Sequence, residues 1–112
     1  MTDATPPNVP TPDALSPEQV ARRLSALDAG WQVSPDGKVL TRRITVTGFA
    51  PALALTRQIG ELAETLNHHP DLCLGWGYCQ VIWTSHDAGG LTPRDFVAAA
   101  QADALIAAAM GG

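Results

Sequence analysis

The chain is poor in the features that settle a protein's class at a glance. Only two cysteines, Cys73 and Cys79, occur in 112 residues. That is too few for a disulfide framework, and they read as free, small apolar residues. No apolar run approaches the length of a membrane span, and no charged-then-apolar leader follows Met1, so a cytoplasmic protein without a membrane partner is expected. Positive charge is sparse as well: seven Lys and Arg stand against eleven Asp and Glu, a net charge of −4. Arg22-Arg23 and Arg42-Arg43 are the only basic pairs, and no basic stripe is interleaved with aromatics. Neutralising a nucleic-acid backbone takes clustered cations, so that class of partner is excluded. No glycine-rich loop opens a helix, no serine or cysteine sits in a nucleophile elbow, and the cysteines lack knuckle spacing.

What remains is an ordinary globular composition, 46% hydrophobic and 16% charged. Residues 1–15 carry four prolines among small polar residues and read as a flexible arm. Residues 16–112 read as one domain.

Order begins at Ser16-Pro17-Glu18-Gln19, where a hydroxyl, a proline and a glutamine stand as a capping box requires. Val20, Leu24 and Leu27 give this first helix its apolar side, and Ala29-Gly30 ends it. Trp31–Val33 and Val39–Val46 form a hairpin around Ser34-Pro35-Asp36-Gly37, broken by Gly48. The spacing of Leu55, Ile59, Leu62 and Leu66 predicts a helix over Pro51–Asn67, with Pro70 setting its end. Leu72 and Leu74 suggest a short strand, Gly75–Gly77 a turn, and Cys79–Ser85 a longer strand with Val81 and Trp83 on one side. Thr92-Pro93-Arg94-Asp95 starts a last helix, buried through Phe96, Ala99, Ala100, Ala104 and Leu105. The order α-β-β-α-β-β-α predicts an α+β fold, a four-stranded antiparallel sheet with three helices on one face. The uncovered face and open edges of such a sheet favour a homo-oligomer.

All three histidines fall between positions 68 and 86, two of them adjacent. Imidazole ionises close to neutrality and can give or take a proton with little tuning. Pro70 forces His69 out of the helix, so the rings of His68 and His69 point apart and can serve different parts of one ligand. His86 stands at a strand end beside Asp87. On spacing alone the pair can equally be imidazoles at a helix C-terminus, or part of a zinc site with Asp71, Cys73 or Cys79.

The pattern is more specific than the histidines alone. Glu64, three residues, His68-His69-Pro70, five residues, Trp76, nine residues, His86, eight residues and Asp95 resembles the signature of the pterin-4a-carbinolamine dehydratases. Gly30-Trp31, Asp36-Gly37, Arg42, Phe49, Ala52, Ala63-Glu64 and Gly89-Gly90-Leu91 extend the likeness over about residues 16–107.

The resemblance implies dehydration of a 4a-hydroxytetrahydropterin to the quinonoid dihydropterin, without metal or organic cofactor. It implies His68 and His86 as proton-transferring groups, and His69, Glu64, Trp76 and Asp87 as substrate-side residues. Pro70 and Asp95 are then structural members of the motif, Asp95 as a helix cap and Trp76 as a pocket wall or sheet-packing residue. It further implies dimers or tetramers through sheet pairing. Ile44, Val46 and Leu55 stand where the family tends to have aromatics. Because some family members are binding proteins, the alternative implied function is a catalytically silent RuBisCO assembly factor of the carboxysome.

Overall fold

The computed structural model describes residues 14–110. Helix α1 spans Pro17–Leu24, strands β1 and β2 span Gln32–Val33 and Leu40–Thr45, and helix α2 spans Phe49–Leu66. Strands β3 (Asp71–Gly75) and β4 (Tyr78–Trp83) follow, then a 3₁₀ turn at His86–Ala88 and helix α3 over Pro93–Ala109. The strands form one antiparallel sheet in the order β1-β2-β4-β3. The fold is therefore α+β, with the expected α-β-β-α-β-β-α order.

The period of two along each strand sorts side chains between the sheet's faces. Leu40 and Ile44 of β2 and Cys79, Val81 and Trp83 of β4 are buried on the helix side. There they meet Leu55, Ile59 and Ala63 of α2 and Phe96, Ala99, Ala102 and Ile106 of α3. The other face carries Thr41, Arg43, Gln80, Tyr78 and Ile82. Gln80 donates to the Thr41 hydroxyl at 3.2 Å, and the Arg43 guanidinium sits 4.0 Å from the Tyr78 ring centroid. The uncovered face is thus mostly polar, and the sheet does not expose the broad apolar surface expected of it.

Several boundaries move for physical reasons. The Ser16–Gln19 capping box is present, with Ser16 N–H donating to Gln19 Oε1 at 2.8 Å and Gln19 N–H to Ser16 Oγ at 3.2 Å. However, α1 stops at Leu24, where the amides of Ala26 and Leu27 turn to carbonyls three residues back, Arg23 O at 3.1 Å and Leu24 O at 3.0 Å, in a turn that still tucks Leu27 against the core. Helix α2 ends at Leu66, four residues before Pro70. Asn67 adopts the left-handed conformation (φ 53°), and His68 N–H reaches back to Ala63 O at 3.2 Å. A short polar side chain tolerates that conformation, so asparagine rather than proline stops the helix. Along α3 the buried set is Phe96, Ala98, Ala99, Ala102 and Ile106, while the expected Ala100 and Ala104 are exposed. The buried residues recur at spacings of three and four, and Ala100 and Ala104 fall off that stripe.

Of the predicted arm, residues 1–13 lie outside the described residues. Its last residue, Leu15, donates its N–H to Leu91 O at 2.7 Å and packs against the core.

One polar brace ties the first loop and last helix to the sheet. Asp103 of α3 accepts from Trp31 Nε1 and Arg42 Nη1, both at 2.7 Å, and from Asp28 N–H at 3.3 Å. Arg42 also pairs with Asp28 at 3.2 Å. A Cβ on Gly30 would lie 2.8 Å from Arg42 Nε, so glycine here leaves room for the guanidinium.

Candidate active site

The chemistry-bearing residues gather where β4 leaves the sheet and β3 enters it. His68 lies just past Asn67, the 3₁₀ turn carries His86 and Asp87, and α3 begins at Pro93. His86 is not on a strand end as expected. It opens the 3₁₀ turn after Trp83–Ser85 and is exposed.

Asp95 is the hub of this end and is fully buried. Its Oδ1 meets His68 Nε2 at 2.7 Å, and its Oδ2 accepts from Ser85 Oγ at 2.7 Å and Thr92 N–H at 3.0 Å. Because each partner can donate, the carboxylate acts as acceptor through both oxygens, and it favours the His68 tautomer that donates from Nε2–H. Ser85 Oγ, having given its proton to Asp95, accepts from Thr92 Oγ1 at 3.0 Å, which itself accepts from Arg94 Nε at 3.4 Å. The chain of donors therefore runs Arg94, Thr92, Ser85 to Asp95, met from the other side by His68. Asp95 does cap α3, but it also orients an imidazole.

His68 is largely buried, with its side chain 11% exposed. It stacks on Trp83 with ring centroids 5.6 Å apart and planes 15° from parallel. A ring held by a carboxylate on Nε2 and by an aromatic face has one orientation and one tautomer, leaving Nδ1 for a second partner. Trp83 Nε1 is buried without a hydrogen-bond partner among the described residues.

His69 diverges from His68, as the sequence suggested. Its Nε2 contacts Glu64 Oε2 of α2, and both side chains are more than half exposed. Arg94 Nη2 donates to Asp87 Oδ1 at 2.7 Å, and that hydrogen bond holds the Asp87 carboxyl below the usual carboxylate range. The charges of Arg94 and His68 act in the same direction.

His68 and His86 line separate hollows. His68 lines one of about 250 Å³ with Leu66, Pro93, Arg94 and Val97. His86 lines another of about 390 Å³ with Lys38, Asp71, Ile82 and Thr84. The Ser85–Asp95 and Asp87–Arg94 contacts stand between them. Trp76 joins neither. It is 77% exposed at the two-residue turn between β3 and β4, so in its own chain it neither walls a pocket nor packs the sheet. Its distance from Pro70 is the full length of β3, about 17–20 Å at the rise of an extended chain. Pro70 leads into β3.

Ser85, Thr92, Arg94 and Trp83 are members of this end that the sequence reading placed in strands and helices but not in the site. The Thr-Pro-Arg-Asp helix start was a usable signal for two of them. Ser85 and Trp83 carried none beyond their place on the strand that precedes His86. Among the described residues no three metal-ligating side chains cluster, and Cys73 and Cys79 lie on opposite sheet faces.

With this geometry in view, comparison with known proteins is informative. Residues 13–105 match the family model for pterin 4 alpha carbinolamine dehydratase, and the chain belongs to that family. A pterin-4-alpha-carbinolamine dehydratase homologue of Aromatoleum aromaticum is 41% identical over 85 residues, 76% of each chain. One of Rubrobacter xylanophilus is 43% identical over 88 residues, 79% of this chain and 78% of the relative. The crystal structure of a transcriptional coactivator/pterin dehydratase from Brucella melitensis superposes with a TM-score of 0.78 at 28% identity, covering 84% of this chain and 99% of that one. A pterin dehydratase-like protein identified as a RuBisCO assembly factor in the alpha-carboxysome shares the fold, with a TM-score of 0.60 at 24% identity, covering 70% of this chain and 92% of that one. No helix among the described residues is long and apolar enough to cross a membrane.

Proposed function

We propose that this protein dehydrates 4a-hydroxytetrahydropterins, using His68 and His86 as its proton-transferring groups. The reaction needs two proton movements. The 4a-hydroxyl leaves as water once it is protonated, and N5 loses its proton as the C=N bond forms. The observation that carries the reading is the buried Asp95–His68 pair, a charge-oriented imidazole facing a hollow. Ordinary helix capping does not call for a second oxygen of the cap to hold a ring that stacks on Trp83. His68 exchanges a proton through Nδ1, while the exposed His86, on the far side of the Asp87–Arg94 pair, serves the other proton. His69 and Glu64 flank the bicycle as binding groups, and Asp87 faces its polar edge. Asp95 acts as a positioning residue, and Pro70 starts β3 beneath the site.

The experiment is to follow loss of a 4a-hydroxytetrahydropterin with and without protein. General acid–base catalysis contributes about a hundredfold or more, which stands clear of the spontaneous reaction. His68→Ala and His86→Ala should each remove most of the acceleration, and His69→Ala should mainly raise KM. Folded wild-type protein without acceleration between about pH 6 and 8.5, where imidazoles change charge, ends this reading. That outcome would move weight to the RuBisCO assembly role of the fold relative, testable as a raised yield of assembled RuBisCO.

A further inference from the structure

We infer that this site takes 4a-hydroxytetrahydropterins whose C6 substituent carries an aryl group, and that the aryl group lies against helix α1. The preference rests on the dehydratase reading and adds a substrate class to it.

The chemistry limits where a substituent can leave the ring. In the substrate N5 is bonded both to C4a, which loses the hydroxyl, and to C6. A group within hydrogen-bond reach of N5 or of the 4a-hydroxyl is therefore close to the carbon that bears the substituent. With His86 as one of the proton-transferring groups, the substituent leaves beside the 3₁₀ turn. Gly89 N–H returns to His86 O at 3.3 Å, so Gly89 and Gly90 follow the imidazole directly at the end of that turn.

Those two glycines belong to a shared wall. With Asp36 and Lys38 they line the His86 hollow, and the same four residues line a second hollow of about 480 Å³. Its other walls include Val20, Ala21 and Leu24 of α1, Leu15, and Val33 of β1. Both hollows fall in the size range of small-molecule pockets, roughly 300–1,000 Å³. Neither glycine sets a side chain between them. Gly89 is left-handed (φ 73°), and a Cβ on Gly90 would lie 3.0 Å from Ala14 Cβ, so each position favours glycine. Thr84 Oγ1 donates to Lys38 O at 2.8 Å, which ties the Ser34–Lys38 turn to the segment leading into His86.

The second hollow suits an apolar guest. The polar side chains of its turn are occupied within the turn: Ser34 Oγ accepts from Val39 N–H at 3.1 Å, and Asp36 Oδ1 from Lys38 N–H at 3.1 Å. Helix α1 buries only Val20, so Leu24 is left half-buried and Ala21 exposed. Water against these side chains finds few partners. An aryl group laid on Val20, Leu24 and Val33 removes apolar surface from water instead. A methyl group on C6 is too short to pass Gly89 and Gly90, whereas an arylaminomethyl group has the reach.

The test titrates the full chain with two stable compounds, 6-methyl-7,8-dihydropterin and 6-anilinomethyl-7,8-dihydropterin. The anilinomethyl compound should bind about tenfold tighter or more. Ala21→Trp fills the hollow from an exposed helix position and should bring the ratio to about one, with the 6-methyl affinity unchanged within about twofold. Ala21→Glu, which keeps a good helix former and sets a carboxylate in the hollow, should lower the ratio as well. Ala26→Trp adds the same bulk outside that hollow and should leave the ratio as it is. The 4a-hydroxy forms of the two pterins should follow the same order in kcat/KM. Equal affinities in the wild type overturn the proposal and leave the hollow to the chain's own residues 1–13. A preference that neither Ala21 variant reduces overturns it too, since the aryl group then lies elsewhere. If neither compound binds, the dehydratase reading falls and the substrate class with it. If the 6-methyl pterin is bound and turned over without gain from the aryl group, only the substrate class falls.

Discussion

Where β4 runs out, five polar side chains (Arg94, Thr92, Ser85, Asp95 and His68) satisfy one another inside the chain. Where β2 runs out, Phe49, Leu53, Trp76 and Met110 stand at least half exposed and satisfy nothing. Gly77 N–H donates to Gly48 O at 3.3 Å, so the Trp76 turn and the start of α2 share this second end, and Met110 lines a hollow there with Val46 and Pro51. The first end is finished by its own chain, apart from the Trp83 indole N–H. The second is not. Changes at the first should therefore strike folding and the site together, whereas changes at the second should be nearly silent in an isolated chain and visible only in assembly.

The sharpest way to break that contrast is Asp95→Ala. It removes the acceptor of three donors in a buried place, and each orphaned donor costs roughly 1–3 kcal/mol. A loss of about 3 kcal/mol or more is expected in urea unfolding, together with loss of dehydration. Asp95→Asn should cost less stability and still impair turnover, because an amide cannot accept from all three. A loss below about 1 kcal/mol for the alanine variant would mean that the donor chain is replaced by water.

At the other end, Leu53→Ser should change unfolding free energy by no more than about 0.5 kcal/mol, as surface substitutions do. A larger loss would show that the exposed apolar end is already covered in solution. The smallest effect concerns Cys79, close to that end in sequence but buried. Burial pushes its thiol up, the Thr56 hydroxyl bond at 3.1 Å opposing in part. A raised folded value means that the stability is fully present below the unfolded thiol range near 8.5, and is lost as pH rises through the folded value. Melting temperatures taken from about pH 8 upward should fall less steeply for Cys79→Ala than for wild type.

Much of this was legible in the sequence because local chemistry agreed with the fold. The Ser16 capping box, the Ser34–Gly37 turn, the alternation through Val81 and Trp83 and the helix start at Thr92 gave the element order. The divergence of His68 and His69 followed from their leaving a helix. What was hidden depended on who meets whom across the chain. Pro70 was the visible helix stop, but Asn67 had already ended α2 through a backbone state that sequence spacing does not report. Asp95 read as a cap because its partner His68 is 27 residues away. Trp76 kept its place in the motif, yet a spacing rule cannot say that it stands at the far end of a strand. The polar face of the sheet escaped because Arg42 and Arg43, adjacent in sequence, serve opposite sides.

That last pair has a consequence for how the chain is born. Arg42 and Trp31 share one acceptor, Asp103, which lies 61 and 72 residues further on. Synthesis runs from the N-terminus, so α1, the first hairpin and their buried cation emerge long before the carboxylate that closes them. Until α3 has been made, the nascent chain has only the exposed Asp28 to set against that guanidinium, on the side of its sheet that must become the core. Docking of α3 is then the step that joins the first described elements to the last.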